Sequence, residues 1–190
     1  MERRVFLSSL GSLCTITFSG CLSTDSDEIQ QYTATTKEVS SSRPLHHEAT
    51  ILQSDIQSEE APLTIEISVT NNTNDLIRYN ERREVLGIFL EINKFILLLK
   101  GERPYEYNEE LGFWQASTPI SIDAEIQTAK LSPDETHTQP LVLVGRQTED
   151  LPKEIPAEFA FEVTFTVTKP QQKESDKQQF EWSFSLSEKE

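Results

Sequence analysis

Glu109 and Glu110 stand among Tyr105, Tyr107, Phe113 and Trp114. Carboxylates beside aromatic rings are the materials of sugar-processing sites, where one acid protonates the leaving group and a second attacks or activates water. Consecutive residues, however, seldom face each other across a substrate. The competing reading puts Trp114 in the core and both glutamates in a solvated loop, and the residue types favour it. If the chain binds a ligand, the sequence places it on this loop, because aromatic and polar side chains on a loop make good contacts. His46, His47 and Glu48 are the next candidates. Neighbours on a strand point to opposite faces, so the two imidazoles do not easily share an ion. Zinc wants three or four convergent ligands, and His137 is the one other histidine. Asp25, Asp27 and Glu28 resemble a fragment of a calcium loop without its glycine or its distal glutamate. No serine lies in a Gly-x-Ser-x-Gly elbow. The six glycines form no phosphate-cradling loop. The sequence therefore offers no catalytic constellation, no metal site and no cofactor site.

Charge narrows the partners. Seventeen Lys and Arg face 32 Asp and Glu over 190 residues, a net charge of -15. Such a surface repels nucleic acid, whose binding rests on basic side chains neutralising phosphates. It also repels an anionic lipid surface. In molar salt the Debye length falls to about 3 Å and self-repulsion is screened. The composition suits a salt-loving organism and equally an ordinary acidic protein. The two cysteines, Cys14 and Cys21, both precede the body, which is left with no disulfide and no thiolate metal site.

The N-terminus reads as an address. Arg3 and Arg4 precede a mostly apolar run over residues 5–18, softened by Ser, Gly and Thr. That run is shorter than the ~20 apolar residues that span a bilayer. A charged start, a short apolar stretch and small residues before a cut site are the parts of a secretory signal, here over residues 1–20. Arg3-Arg4-Val5-Phe6-Leu7 resembles the twin-arginine export motif. Phe18-Ser19-Gly20-Cys21 resembles a lipobox, with Phe18 where leucine is usual. That resemblance implies that the Cys21 thiol is alkylated by lipid and that Cys21 becomes the mature N-terminus. The alternative is an uncleaved anchor helix with an incidental cysteine. Loss of residues 1–20 removes Glu2, Arg3 and Arg4 and leaves 31 acids against 15 bases. Twin arginines, lipobox and acidic body together resemble the exported lipoproteins of halophilic archaea. The resemblance implies a two-chain lipid anchor on the outer face of the cell membrane. Each buried methylene contributes about 0.8 kcal/mol, so two long chains hold where one binds marginally.

Behind the address, residues 21–44 are rich in Ser, Thr, Asp and Gln, too polar to offset their ordering entropy, and read as a disordered stalk. A β domain is expected over residues 45–190. Leu63, Ile65, Ile67 and Val69 alternate with polar residues; so do Ile120, Ile122, Ala124 and Ile126. Phe159, Phe161, Val163, Phe165 and Val167 do the same, as do Phe180, Trp182, Phe184 and Leu186. Each run has the period of a half-buried antiparallel strand. Residues 141–144 are continuously apolar and read as a more buried strand, and residues 49–53 as a weaker first one. Residues 85–99 fit a helical stripe, but Gly87 and a β-branched, aromatic composition favour two strands turning at Asn93-Lys94. Turn chemistry lies at residues 71–75, 132–134, 152–156 and 170–176. Within the first, Asn71-Asn72-Thr73 is a glycosylation acceptor. Short strands joined in this way argue for a two-sheet sandwich.

The body also resembles an uncharacterised group of small haloarchaeal lipoproteins with an immunoglobulin-like body. The similar stretches are residues 95–99, 105–114, 119–131 with Pro133, Leu151-Pro152, and 180–186. These are framework motifs and speak for fold, not chemistry. The resemblance implies an all-β, immunoglobulin-like antiparallel sandwich. Relatives carry a cysteine just before the tryptophan and another before Leu-Pro. Here Phe113 and Asp150 occupy those places, so this body relies on packing. The expectation is a non-catalytic binding or accessory module, lipid-anchored at the cell surface, its protein or glycan partner left open. The alternatives are a structural component of the cell envelope and a hydrolase using Glu109 or Glu110.

Overall fold

The computed structural model describes residues 30–37, 43–81, 88–90, 94–101, 103–120, 127–148, 154–169, 171 and 176–190. These form an all-β domain in which two sheets pack face to face around one main core. The strands are β1 (Tyr32–Lys37), β2 (Leu45–Gln53), β3 (Thr64–Asn71), β4 (Ile77–Glu81), β5 (Ile88–Leu90) and β6 (Phe95–Leu99). They continue with β7 (Tyr105–Asn108), β8 (Phe113–Ala116), β9 (Gln127–Leu131), β10 (Thr136–Gly145), β11 (Glu158–Thr168) and β12 (Gln178–Glu188). One sheet runs β1-β12-β11-β4-β9. The other runs β2-β3-β10-β6-β5, with β8 joined to β10 at Gly145 and Gln115, and β7 paired to β8.

Period-two patterning builds the core. On β11, Phe159, Phe161, Val163, Phe165 and Val167 point inward, and on β12 Trp182, Phe184 and Leu186 meet them. Ile65, Ile67 and Val69 of β3, Leu141 and Leu143 of β10 and Phe95 and Leu97 of β6 close the core from the opposite sheet. Rings pack throughout, for example Phe161 on Phe184 at 4.9 Å and Phe95 edge-on to Phe159 at 5.1 Å. Such offset and edge arrangements add to the area buried.

Two runs are apolar at every position because they are covered on both faces. Ile96, Leu98, Val142 and Val144 lie on the outer side of their sheet, fully buried with Ala116, and Tyr105, Trp114 and Ile120 pack against them. Pro140 is tolerated inside β10 for a local reason. Its carbonyl accepts from Lys100, on the side where β6 has ended, so its missing N–H falls on that same side and costs no rung of the ladder to β3.

Strands β11 and β12 define two ends. At one lie Tyr32, paired with Glu188, and Glu158, paired with Ser187, together with the segment 54–63. At the other lie the turns at residues 71–75 and 132–135. Asn71 fastens these two turns together. Its side-chain N–H groups donate to the carbonyls of Asp75, Leu131 and Ser132 at 2.9, 3.0 and 2.9 Å, and its Oδ1 accepts from the Thr73 N–H and hydroxyl. Nearby, Glu135 accepts from the Ser132 N–H at 2.7 Å, which holds its carboxyl below the usual range.

Some expectations are met and others corrected. The alternating runs at residues 63–69, 159–167 and 180–186, and the buried strand over 141–144, are present as β3, β11, β12 and the second half of β10. Within the ambiguous stretch 85–99, the described residues form the antiparallel pair β5 and β6, and Lys94 of the expected turn takes φ 71°. The alternation over residues 121–126 lies outside the described residues. The stalk is corrected: residues 32–37 inside it form β1, an edge strand on β12. Tyr32 decides this. It is fully buried against Phe159 at 5.4 Å, and its hydroxyl donates to the Pro156 carbonyl. One large side chain among threonines was too faint a signal in composition.

Candidate functional site

Strands β7 and β8 form a hairpin on the end of the body that carries Tyr32. Asn108 shapes its turn. Its Oδ1 accepts from the N–H groups of Glu110 and Leu111 at 3.0 and 3.2 Å, and its carbonyl accepts from Gly112 at 2.8 Å. Gly112 closes the turn at φ 71°, a conformation that glycine adopts without steric cost. The cross-strand pairs Tyr105–Ala116 and Tyr107–Trp114 then place three aromatic rings on one face. Trp114 meets Tyr105 edge-on at 5.7 Å and Tyr107 at 5.9 Å.

Phe113 and Trp114 part company, as neighbours on a strand must. Phe113 turns inward, 1% exposed, against Phe95. Trp114 turns the other way and is only half-buried. The expectation of Trp114 in the core is met in part: it packs half-buried against the outer cluster of Ile96, Leu98, Val142 and Val144, while Phe113 enters the main core. The glutamates do lie in a solvated turn, both exposed.

The rings are held by a segment that sequence reasoning did not single out. The Trp114 indole N–H donates to the Ser58 carbonyl at 2.8 Å, and the Tyr107 hydroxyl donates to the Gln57 carbonyl at 3.2 Å. That segment is itself folded on side chains, with Gln57 N–H bonded to Asp55 and Gln53 Nε2 bonded to the carbonyls of Asp55 and Ala61. No local motif advertised this pairing. The one usable signal was that a buried-edge indole needs an acceptor.

The two segments that build this face are acidic, although Lys94, Arg146 and Lys189 lie at the same end of the body. Residues 50–63 and 104–120 contain Asp55, Glu59, Glu60, Glu106, Glu109 and Glu110 and no lysine or arginine. The Tyr107 hydroxyl responds: burial first, then the charges of Glu59, Asp55 and Glu109, push its ionisation above the ordinary tyrosine value. Aromatic faces within a negative field are suited to a cationic group, through ring quadrupole and carboxylate together.

The remaining candidates fare differently. His46 is exposed and His47 buried, on opposite faces of β2. His47 is stacked on Trp182 at 4.6 Å and tilted against Phe165 at 4.7 Å, a packing position. No group of three or more His, Cys, Asp or Glu side chains among the described residues is arranged to hold a metal ion. The glycosylation candidate Asn71 is the last residue of β3. It is fully buried, and the nitrogen that would carry the sugar already donates to three carbonyls. Cys21, Arg3 and Arg4 lie outside the described residues, as do Asp25, Asp27 and Glu28.

No family model matches the chain, and no curated protein matches it. Among solved structures, the crystal structure of a FixG-related protein from Vibrio parahaemolyticus is similar over 78% of this chain and 99% of that one. The two are 15% identical with a TM-score of 0.36, a likeness too slight to carry an argument about fold or function.

Proposed function

We propose that this chain is a lipid-anchored protein of the outer cell surface, exported by the twin-arginine route and tethered through Cys21. Its body is an immunoglobulin-like sandwich that acts as a binding or accessory module without turnover of its own. The observation that carries the reading is Ser19-Gly20-Cys21 placed directly behind a short apolar run that opens with Arg3-Arg4. Small residues stand where a signal peptidase cuts, and a thiol stands where a lipid would attach. Among the described residues no helix is long and apolar enough to cross a membrane.

The proposed binding face is the hairpin that presents Tyr105, Tyr107 and Trp114 with Glu109 and Glu110. Its rings are locked in place, which lowers the entropy lost when a ligand docks. The haloarchaeal family resemblance and the acid excess point the same way, to a surface that works in concentrated salt.

Membrane fractionation tests the anchor. Cys21→Ser is expected to release mature-sized protein into the medium or leave unprocessed precursor. Mature-sized Cys21→Ser protein that stays firmly in the membrane pellet overturns the reading.

A further inference from the structure

The chain between Cys21 and the body is short. Gln30 lies nine residues beyond Cys21. At about 3.3–3.6 Å per residue, the chain between them reaches roughly 30 Å when fully drawn out. Gln30 is pinned to one end of the sandwich, because its carbonyl accepts from Ile56 N–H at 3.4 Å. The next two residues are pinned as well: Gln31 O accepts from Lys189 N–H at 2.7 Å, and Tyr32 N–H donates to Ser54 O at 3.0 Å.

The body is longer than that reach. Strands β11 and β12 have 11 residues each, so they span about 36 Å at ~3.3 Å per residue. To set the opposite end on the membrane, the chain from Cys21 would have to run the full length of the sandwich. It is too short. Lying flat has no evident support either. The large apolar side chains exposed among the described residues are Leu52 and Leu76, one toward each end, and they do not form a lateral patch.

We infer that the end carrying Gln30, the segment 54–63 and the β7–β8 turn is apposed to the lipid surface, while the Asn71 and Ser132 turns are displayed outward. This rests on the lipid-anchor reading. It also deepens the binding proposal: the hairpin that carries Tyr107 and Trp114 lies at the membrane-proximal end, so what it binds is held in the layer beside the lipid and not free in the medium.

Energy transfer tests the orientation. The mature body contains no cysteine, and Cys21 in thioether linkage is not a free thiol, so one introduced cysteine takes one dye. Glu60→Cys and Asn74→Cys are exposed positions at the two ends. The lipidated chain is reconstituted in phosphatidylcholine vesicles bearing a headgroup-linked acceptor, in molar sodium chloride. Transfer from position 60 is expected to exceed that from position 74 at least twofold. Inserting 20 Gly-Ser residues between Cys21 and Gln30 is expected to bring the ratio toward one. Vesicle-bound protein with equal or inverted transfer overturns the orientation alone. Protein that does not float with the vesicles overturns the anchor, and the orientation with it.

Discussion

Asn71 shows how one residue type serves two opposite ends. In sequence it is an acceptor for sugar; in the fold its amide is consumed by the carbonyls of Asp75, Leu131 and Ser132. Intact mass of the native protein is expected to show no glycan at Asn71. Asn71→Ala strands those buried acceptors and is expected to cost about 2–4 kcal/mol, read as a lower urea midpoint. Gly145 is constrained by approach. A Cβ there would lie 2.7 Å from Cε2 of the Phe113 ring, which itself packs against Phe95 at 5.1 Å. Gly145→Ala is expected to cost about 1–3 kcal/mol, and less when combined with Phe113→Leu, which gives the methyl room. Tyr32 carries the alkaline limit. Burial first, and Glu188 second, raise its ionisation well above the ordinary value. In the unfolded chain it ionises near pH ~10. Its contribution is therefore whole below that pH and lost as pH rises toward the folded value. A urea titration should show stability falling above pH ~10, and Tyr32→Phe should flatten that limb.

At the scale of the element, β1 is the piece that a reading of composition would discard. Its threonines look solvated, yet Tyr32 and the partly buried Ala34 cover the core beside Phe159. A mature chain without residues 22–29 should keep its urea midpoint. Removing residues 22–37 should lower stability by about 3–5 kcal/mol, the cost of losing a buried aromatic side chain. The contrast explains what was legible. Strands β3, β11 and β12 announce themselves because one face is core and the other water, and β6 and β10 because both faces are covered. Strands β4, β7, β8 and β9 are five residues or fewer. Over so few positions, alternation is hard to tell from chance. At the candidate site the residue types of the hairpin were readable, as was its solvated turn. Its brace was not, because Gln57 and Ser58 act through backbone carbonyls, and any residue could supply those.

At the scale of the whole molecule, charge competes with packing. With residues 1–20 removed, as proposed, the chain carries 31 acids against 15 bases, and its body has no disulfide to restrict the unfolded state. Repulsion spread over the surface is long-ranged, and salt shortens that range from about 10 Å at 0.1 M to about 3 Å at 1 M. Surface ion pairs such as Lys169 with Asp75 also weaken in salt, and that works the other way. An exposed pair contributes at most about 1 kcal/mol, however, and with acids outnumbering bases two to one, many acids have no pair to lose. Repulsion should win. A small domain holds only about 5–15 kcal/mol in total, so a few kcal/mol of relieved repulsion is a large fraction. The expected outcome is a urea midpoint that rises steadily between low and molar sodium chloride. Urea is the right denaturant because it is uncharged and leaves the screening to the added salt. Potassium chloride should act as sodium chloride does, because screening depends on ionic strength and not on the cation. A midpoint that stays level or falls would mean that the acid excess is not a salt adaptation, leaving the twin arginines, the Cys21 motif and the resemblance of the body to support a halophilic surface protein.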